Sequence, residues 1–268
     1  MPQRKDSIRS FDLPKVSVLS KSEKISLMFY ELKKTKLDRV LVKDKENLIG
    51  VVTLRDIFIK LASKKFSNIS PTSLSVAAFT SERFVSISQD MTLSDAISTM
   101  NKENVSALPV IGTNGKVQGL LTKNMLINLL SQELHGKVED FLVRGGYRVP
   151  AGTSLSTVIN DILRDKDMRE FVVIQNTLPL GVVGEKELAT FLFKYLSEDT
   201  IHHMRSALQK YVTNDIMTLI IEKLRPQDPV QKAATLLSNT NLVMYPVTKE
   251  ESLVGVIRRR ELFNQLLT

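Results

Sequence analysis

A hydroxyl and a carboxylate three residues apart, Thr53 and Asp56, mark a place in this sequence where side chains could do specific chemistry. They close the run GVVTLRD, in which a glycine and two valines come before the pair. Thr53 is placed to cap the N-terminus of a helix, and Asp56 is placed to reach back toward the same free backbone amides. Two interpretations of this hydrogen-bonding chemistry stay open. The pair is either a capping box that needs no ligand or a polar site that holds one.

The same frame returns three times along the chain, which indicates an internal repeat. The later runs are GLLTKNM from Gly119, GVVGEKE from Gly181 and GVIRRRE from Gly255, and only the first run keeps both the hydroxyl and the aspartate. Eight or nine residues before each glycine lies a short apolar strand: Val40–Val42, Leu108–Val110, Phe171–Val173 and Tyr245–Val247. We call the four units copy one to copy four.

Each apolar strand follows a segment with the spacing of one helix face, i, i+3, i+4 and i+7. The apolar positions are Ile25, Met28, Phe29 and Leu32; Leu93, Ala96, Ile97 and Met100; Leu155, Val158, Ile159 and Ile162; and Val230, Ala233, Ala234 and Leu237. The predicted unit is therefore strand, helix, strand, strand, helix, repeated every ~60 to 75 residues. This order predicts a mixed fold of the α/β (α+β) class.

Composition narrows the range of functions. The chain has 268 residues, of which 43% are hydrophobic and 25% charged, as in an ordinary soluble protein. It has no Cys, which excludes disulfides and thiolate chemistry, and three scattered His residues are too few for a zinc site. We find no catalytic triad order and no P-loop, so neither an enzyme nor a metal site is expected. No signal peptide or membrane span is evident, and a cytoplasmic location is expected.

The net charge of +8 and the pI near 9.5 indicate a surface that attracts phosphate groups. A nucleic-acid-binding protein is the alternative that this charge leaves open. Against it, proteins that bind single strands usually stack bases on exposed aromatic rings, and this chain is 6% aromatic with no Trp. The charge alone leaves small nucleotides, nucleic acid and anionic lipid open as partners, and a surplus of solvated lysine explains it equally well.

The four ordered copies resemble the CBS domain, which pairs into Bateman modules. Two such pairs in one chain are similar to stand-alone archaeal CBS proteins and to the γ subunit of AMP-activated protein kinase. The resemblance implies a first module over residues 12–133, with copies at about 12–66 and 72–133. It implies a second module over 137–268, with copies at about 137–196 and 210–268. The break between the modules is expected near Gln132–Gly146, where glycines interrupt the helical pattern.

The resemblance also implies a function. CBS pairs bind AMP, ADP, ATP or S-adenosylmethionine between paired repeats, so a regulatory sensor of adenine nucleotides is expected. It would have no covalent cofactor, and it would signal to an unknown protein partner or act as a homodimer. In the family, the threonine and aspartate of this turn hold the ribose, which assigns Thr53 and Asp56, with Arg55 between them, to a ligand site. The base would lie between strand edges that include Ser17, Val18, Val40 and Val42.

The other three turns depart from this pattern. Copy two keeps Thr122 but has Met125 in place of the aspartate, which leaves Lys123 as a possible contact for a phosphate. Copy three has Gly184 and Glu187, a longer carboxylate without the hydroxyl. In copy four, Arg258 and Glu261 take the two positions, and Arg258 is the candidate for pairing with phosphate. The sequence thus predicts one good ribose site, in copy one, and up to two altered ones.

Overall fold

The computed structural model describes residues 2–63, 71–81, 84–165, 167–197, 208–240 and 242–267. Copies one to three form the predicted order of elements, and copy four forms it except for its first strand. Copy one contains β1 (Val18–Ser20), α1 (Ile25–Thr35), β2 (Arg39–Asp44), β3 (Asn47–Thr53) and α2 (Leu54–Leu61). Copy two contains β4 (Ile87–Ser88), α3 (Leu93–Lys102), β5 (Ala107–Ile111), β6 (Val117–Thr122) and α4 (Lys123–Leu129). The fold class is therefore confirmed as a mixed α/β fold of four repeats.

The second half of the chain repeats this order with one variation. Copy three contains β7 (Arg148–Pro150), α5 (Leu155–Arg164), β8 (Glu170–Gln175), β9 (Leu178–Gly184) and α6 (Glu185–Ser197). It is followed by α7 (Thr213–Ile216) and β10 (Thr218–Leu219). Copy four contains α8 (Val230–Thr240), β11 (Met244–Lys249), β12 (Ser252–Arg258) and α9 (Arg259–Gln265). Its first strand is reduced to one parallel bridge between Leu224 and Val247.

Each copy is built on an antiparallel hairpin with the same irregularity. The register shifts directly after a valine that pairs with the repeated glycine, as at Val42 opposite Gly50 and at Val173 opposite Gly181. The other two hairpins shift at the corresponding places, after Val110 and after Val247. One shared bulge means that each last strand ends, and each last helix begins, at an equivalent point.

The predicted helix faces are buried. All four marked positions are at most 5% exposed in α3, α5 and α8, and so are Ile25 and Met28 of α1. Phe29 is only partly buried, and its ring stacks on Phe193 with the centroids 3.9 Å apart. Among the described residues, every helix is too short or too polar to serve as a membrane span.

The chain divides into two compact units, and each unit takes one copy from each half of the sequence. The copy one–three unit comprises Val16–Phe84 and Tyr147–Ile220. The copy two–four unit comprises Met1–Lys15, Val85–Gly146 and Ile221–Thr268. These units do not coincide with the predicted modules 12–133 and 137–268. Within each unit, helices from two copies pack together, which a division by sequence order did not anticipate. The pairing of copies one with two and three with four as Bateman modules stays a prediction.

The repeated glycines are explained by a backbone segment that crosses each hairpin. A Cβ on Gly50 would lie 2.5 Å from the carbonyl oxygen of Ser81, and one on Gly181 would lie 2.6 Å from that of Thr218. Gly119 meets Leu13 and Pro14 in the same way, and Gly255 meets Val143. Each crossing segment leads into the other copy from the same half of the chain. We call these four segments the lead-ins.

Replacing Gly181 with alanine is expected to destabilise the protein by about 1–3 kcal/mol, because the new methyl group meets a backbone oxygen that cannot move freely. Gly112→Ala is the matched control, since its Cβ would meet the flexible end of the Gln118 side chain. Chemical denaturation of the full chain would measure both variants. Equal losses in the two variants would contradict this account of the glycines.

Candidate functional site

Thr53 and Asp56 form a complete capping box where β3 meets α2. Asp56 Oδ2 accepts a hydrogen bond from the Thr53 backbone N–H at 2.8 Å and another from the Thr53 hydroxyl at 2.7 Å. The Asp56 N–H donates to Thr53 Oγ1 at 3.2 Å. Both bonds to the carboxylate end on Oδ2, and Oδ1 accepts no hydrogen bond from the described residues. The capping box is therefore present, and Oδ1 is the carboxylate oxygen that it does not use.

Arg55 connects this turn to copy three. Its Nη1 donates to Oε1 of Glu185, the first residue of α6, and the two side chains are 26% and 11% exposed. The backbone N–H of Glu185 donates to the carbonyl oxygen of Arg169 at 3.1 Å. The N-terminal ends of α2 and α6 therefore meet across an ion pair that is mostly screened from solvent.

Burial dominates the electrostatics around this ion pair. It raises the pKa of the Glu185 carboxyl to about 7, although the Arg55 and Arg169 charges act to lower it. Burial also lowers the pKa of Arg169, and the nearby Arg55 charge lowers it further. Arg39 adds a third guanidinium, which binds Asp38 through Nε at 2.7 Å and Nη2 at 3.0 Å. Low-dielectric surroundings make each of these charges sensitive to its neighbours.

The strand residues predicted to border a base have different surroundings. The Ser17 hydroxyl donates to Glu31 Oε2 at 2.5 Å, and the Ser17 carbonyl oxygen accepts from the Leu41 N–H at 2.9 Å. Val18 is partly exposed at the start of β1. Val40 and Val42 are fully buried in the hydrophobic core of the copy one–three unit. Their side chains pack in that core, a role that the apolar strand pattern predicts equally well.

The turn of copy two lacks a carboxylate, and its polar side chains contact other parts of the protein. Thr122 Oγ1 accepts from the Met125 N–H at 3.2 Å and caps α4. The Lys123 ammonium lies 4.1 Å from the centroid of the Phe263 ring in α9, a cation–π contact. Asn124 Nδ2 donates weakly to the Leu237 carbonyl oxygen at 3.5 Å. Lys123 thus has a protein contact in the position where the sequence suggested a phosphate.

Both carboxylate oxygens of Glu187, in copy three, are used inside the protein. Oε2 accepts from the Gly184 N–H at 3.1 Å, and Oε1 accepts from the Thr218 hydroxyl at 2.7 Å. Burial raises the pKa of this carboxyl. A Cβ on Gly184 would lie 2.5 Å from the Arg169 carbonyl oxygen, so a threonine does not fit at this turn. Glu187 caps α6 and holds the segment that contains Thr218.

In copy four the two candidate residues bind each other. Arg258 Nε donates to Glu261 Oε2 at 2.9 Å, and Arg258 Nη2 donates to Glu261 Oε1, which makes a bidentate ion pair. Arg259 Nη2 donates to the Leu242 carbonyl oxygen at 2.6 Å. A phosphate at Arg258 would therefore compete with Glu261 for the guanidinium.

Sequence reasoning did not identify Glu185 and Arg169 as part of this site. Both are remote from Arg55 in sequence, and only the packing of copy one on copy three brings them together. It also passed over a second capping box, Thr92 with Asp95 at the start of α3. The threonine-x-x-aspartate spacing was visible there, but it lies at the first helix of a copy and not at the repeated turn. In the described part of the chain, no group of three or more His, Asp or Glu residues could hold a metal ion.

Two archaeal proteins match part of this sequence. An uncharacterized protein of Methanopyrus kandleri is 27% identical over 90 residues, which are 34% of this chain and 44% of that protein. An uncharacterized protein of Methanocaldococcus jannaschii is 29% identical over 90 residues, 34% of this chain and 28% of that protein. The match thus spans less than half the length of either relative.

Solved structures share the fold over most of the chain. A Methanocaldococcus jannaschii protein described as a candidate archaeal homologue of γ-AMPK superposes with a TM-score of 0.76 at 16% identity, over 94% of this chain and 96% of that one. An uncharacterized conserved protein of Pyrococcus horikoshii gives a TM-score of 0.53 at 19% identity, over 85% and 91% of the two chains. At these identities the likeness is one of fold.

The CBS domain model matches residues 11–63, 76–132 and 212–268, which correspond to copies one, two and four. Copy three lies between the matched segments, and the structure gives it the same five elements in the same order. With more than half of its residues matched by this model, the chain belongs to the CBS-domain family.

Proposed function

We propose that this protein is a regulatory sensor that binds an adenine nucleotide or a related adenosine ligand at the turn of copy one. One observation carries the proposal: at the repeated turn of copy one, beside the ion pair of Arg55 and Glu185, Asp56 caps α2 through Oδ2 alone, while Oδ1 accepts no hydrogen bond from the described residues. A carboxylate oxygen at a helix start suits the vicinal hydroxyls of a ribose. The positive end of the helix dipole at the same turn favours an anionic group nearby.

Counting acceptor oxygens favours copy one over the other three turns. Copy two has no carboxylate at its turn. Glu187 of copy three uses both oxygens internally, and Glu261 of copy four is held by Arg258. A ribose would have to break an existing contact at either of these two, which weakens binding there. We therefore place the principal site at Thr53 and Asp56, with one ligand in the copy one–three unit.

Membership of the CBS-domain family supports a regulatory role, and the fold shared with the candidate γ-AMPK homologue is in keeping with it. A sensor of this kind works when its ligand binds one of two conformations more tightly than the other. Helix α2 begins at the turn that contains Asp56, and Arg55 in that helix contacts α6. A ligand at Asp56 therefore acts on the place where two copies meet. The receiving partner, a protein or a second copy of this chain, is not specified by these contacts.

Asp56→Ala is expected to weaken binding of adenosine or AMP by about 1.5–3 kcal/mol, the contribution of hydrogen bonds to a charged group. Stability should fall by only about 1 kcal/mol, because one helix cap is lost. Isothermal titration calorimetry and thermal denaturation of the full chain would give both numbers.

Asp95→Ala is a closely matched control for this experiment. Asp95 caps α3 with the same bonds, at 2.9 Å to the Thr92 N–H and 2.7 Å to the Thr92 hydroxyl. Its loss should lower stability by a similar amount, about 1 kcal/mol, and leave nucleotide affinity unchanged. Equal affinity for adenosine and AMP in the native chain and in both variants would mean that Asp56 only caps α2.

Salt dependence separates the proposed function from nucleic-acid binding. A nucleotide makes few phosphate contacts, so its affinity should fall only modestly between low and physiological salt. An oligonucleotide that neutralises about six or more phosphates should lose about a thousandfold or more over that range. Titration of AMP and of a single-stranded oligonucleotide at two salt concentrations would measure this. Tight, steeply salt-dependent oligonucleotide binding without AMP binding would favour the alternative.

A further inference from the structure

Arg55 forms an ion pair with Glu185, and the sequence of the repeated turn does not explain this contact. Glu185 is the first residue of α6, and its Oε1 accepts from Arg55 Nη1. Arg55 directly precedes Asp56, so its guanidinium is the nearest cation in sequence to the proposed ribose contact. A carboxylate from copy three therefore holds the cation that a ligand phosphate at this turn would be expected to use.

Charged groups of both signs surround Glu185. The guanidinium groups are Arg39, Arg55 and Arg169, and the carboxylates that interact with them are Asp38, Asp56 and Glu185. Carboxylates therefore already lie among the guanidinium groups at this place. An incoming phosphate would add negative charge to this cluster, and like charges in a poorly solvated place repel strongly.

We propose that Glu185 is a specificity-determining residue, an internal competitor that excludes phosphate from Arg55 and makes the copy one site favour ligands without a phosphate. This inference rests on the proposed function. Asp56 contacts the sugar independently of Arg55, so adenosine binds whether or not Glu185 is charged. A phosphorylated ligand competes with the Glu185 carboxylate for a guanidinium that pairs well with either anion.

Protonation of Glu185 relieves the competition. Burial raises the pKa of this carboxyl to about 7, against the opposing effect of Arg55 and Arg169 and with support from the Asp56 charge. Above this pKa Glu185 is an anion and competes for Arg55, and below it the neutral carboxyl releases the guanidinium. Affinity for a phosphorylated ligand should therefore rise as the pH falls through this range, and affinity for adenosine should not.

Glu185→Gln tests this directly in the full-length chain. Calorimetry with adenosine and with AMP would be done at about pH 6 and about pH 8, on either side of the relevant protonation. At the higher pH, the variant should bind AMP roughly tenfold more tightly than the native chain, the worth of one charge-assisted contact, with unchanged adenosine affinity. At the lower pH the two proteins should converge. The ratio of variant to native affinity cancels the ionisation of AMP itself.

Glu133→Gln is the matched control, because it removes one carboxylate from an arginine ion pair, with Arg4, in the copy two–four unit. It should leave both affinities at native values. An equal gain in AMP affinity from this control would reduce the effect to net charge and overturn the proposal. So would equal AMP affinity in native protein and Glu185→Gln, while adenosine binding would still support the sensor. If neither ligand binds native or variant protein, the proposed function and the competitor both fail.

The native chain provides a readout that does not depend on the variant folding. AMP loses negative charge as the pH falls toward the second phosphate pKa of about 6, which by itself weakens its binding. Tightening of AMP relative to adenosine on acidification is therefore the expected result. Constant or weakening relative affinity would overturn the role of Glu185.

Discussion

The close approach of a lead-in backbone to each hairpin is the constraint on which the rest of the structure depends. The Ser81 and Thr218 carbonyl oxygens lie where a side chain on Gly50 or Gly181 would place its Cβ, so only glycine fits. The bulge beside each of these glycines fixes the register of the hairpin. The register in turn fixes where the last strand ends and where the helix that carries the site begins. Backbone packing, rather than a ligand, thus determines the position of the turn.

The sequence predicted the repeated part of this molecule well because repetition is local. Each copy contains its helix face, its hairpin and its glycine within some sixty residues. The same pattern in four copies makes the prediction of each one stronger. Thr53 and Asp56 also lie within one turn, so their capping box followed from spacing alone. The contact between Arg55 and Glu185 spans two copies, and no local pattern indicates it. For the same reason, sequence order did not reveal compact units that take one copy from each half.

The four turns share a backbone and differ in how many acceptor oxygens they leave unused. Asp56 reaches back to Thr53 with one oxygen, because its short side chain meets the amide and the hydroxyl at the same point. Glu187 has one more methylene and spans two partners, so both oxygens are bound. Glu261 faces Arg258, whose planar guanidinium takes both. A difference of one methylene or one neighbour therefore separates a turn whose two carboxylate oxygens are both bound from one whose Oδ1 accepts no hydrogen bond from the described residues.

Burial of charge at the N-terminal ends of α2 and α6 is hard to explain by stability alone. Replacing a buried ion pair with apolar residues of similar size is often neutral or stabilising, so the contact between Arg55 and Glu185 is a poor source of folding energy. Burial acts against the charged form of Glu185 strongly enough to bring its pKa to about 7. A carboxyl of this kind changes its charge near neutral pH. Arg55 and Glu185 join copy one to copy three, and the charge of this pair depends on its surroundings. Arg55 directly precedes Asp56, the carboxylate proposed to hold the ligand.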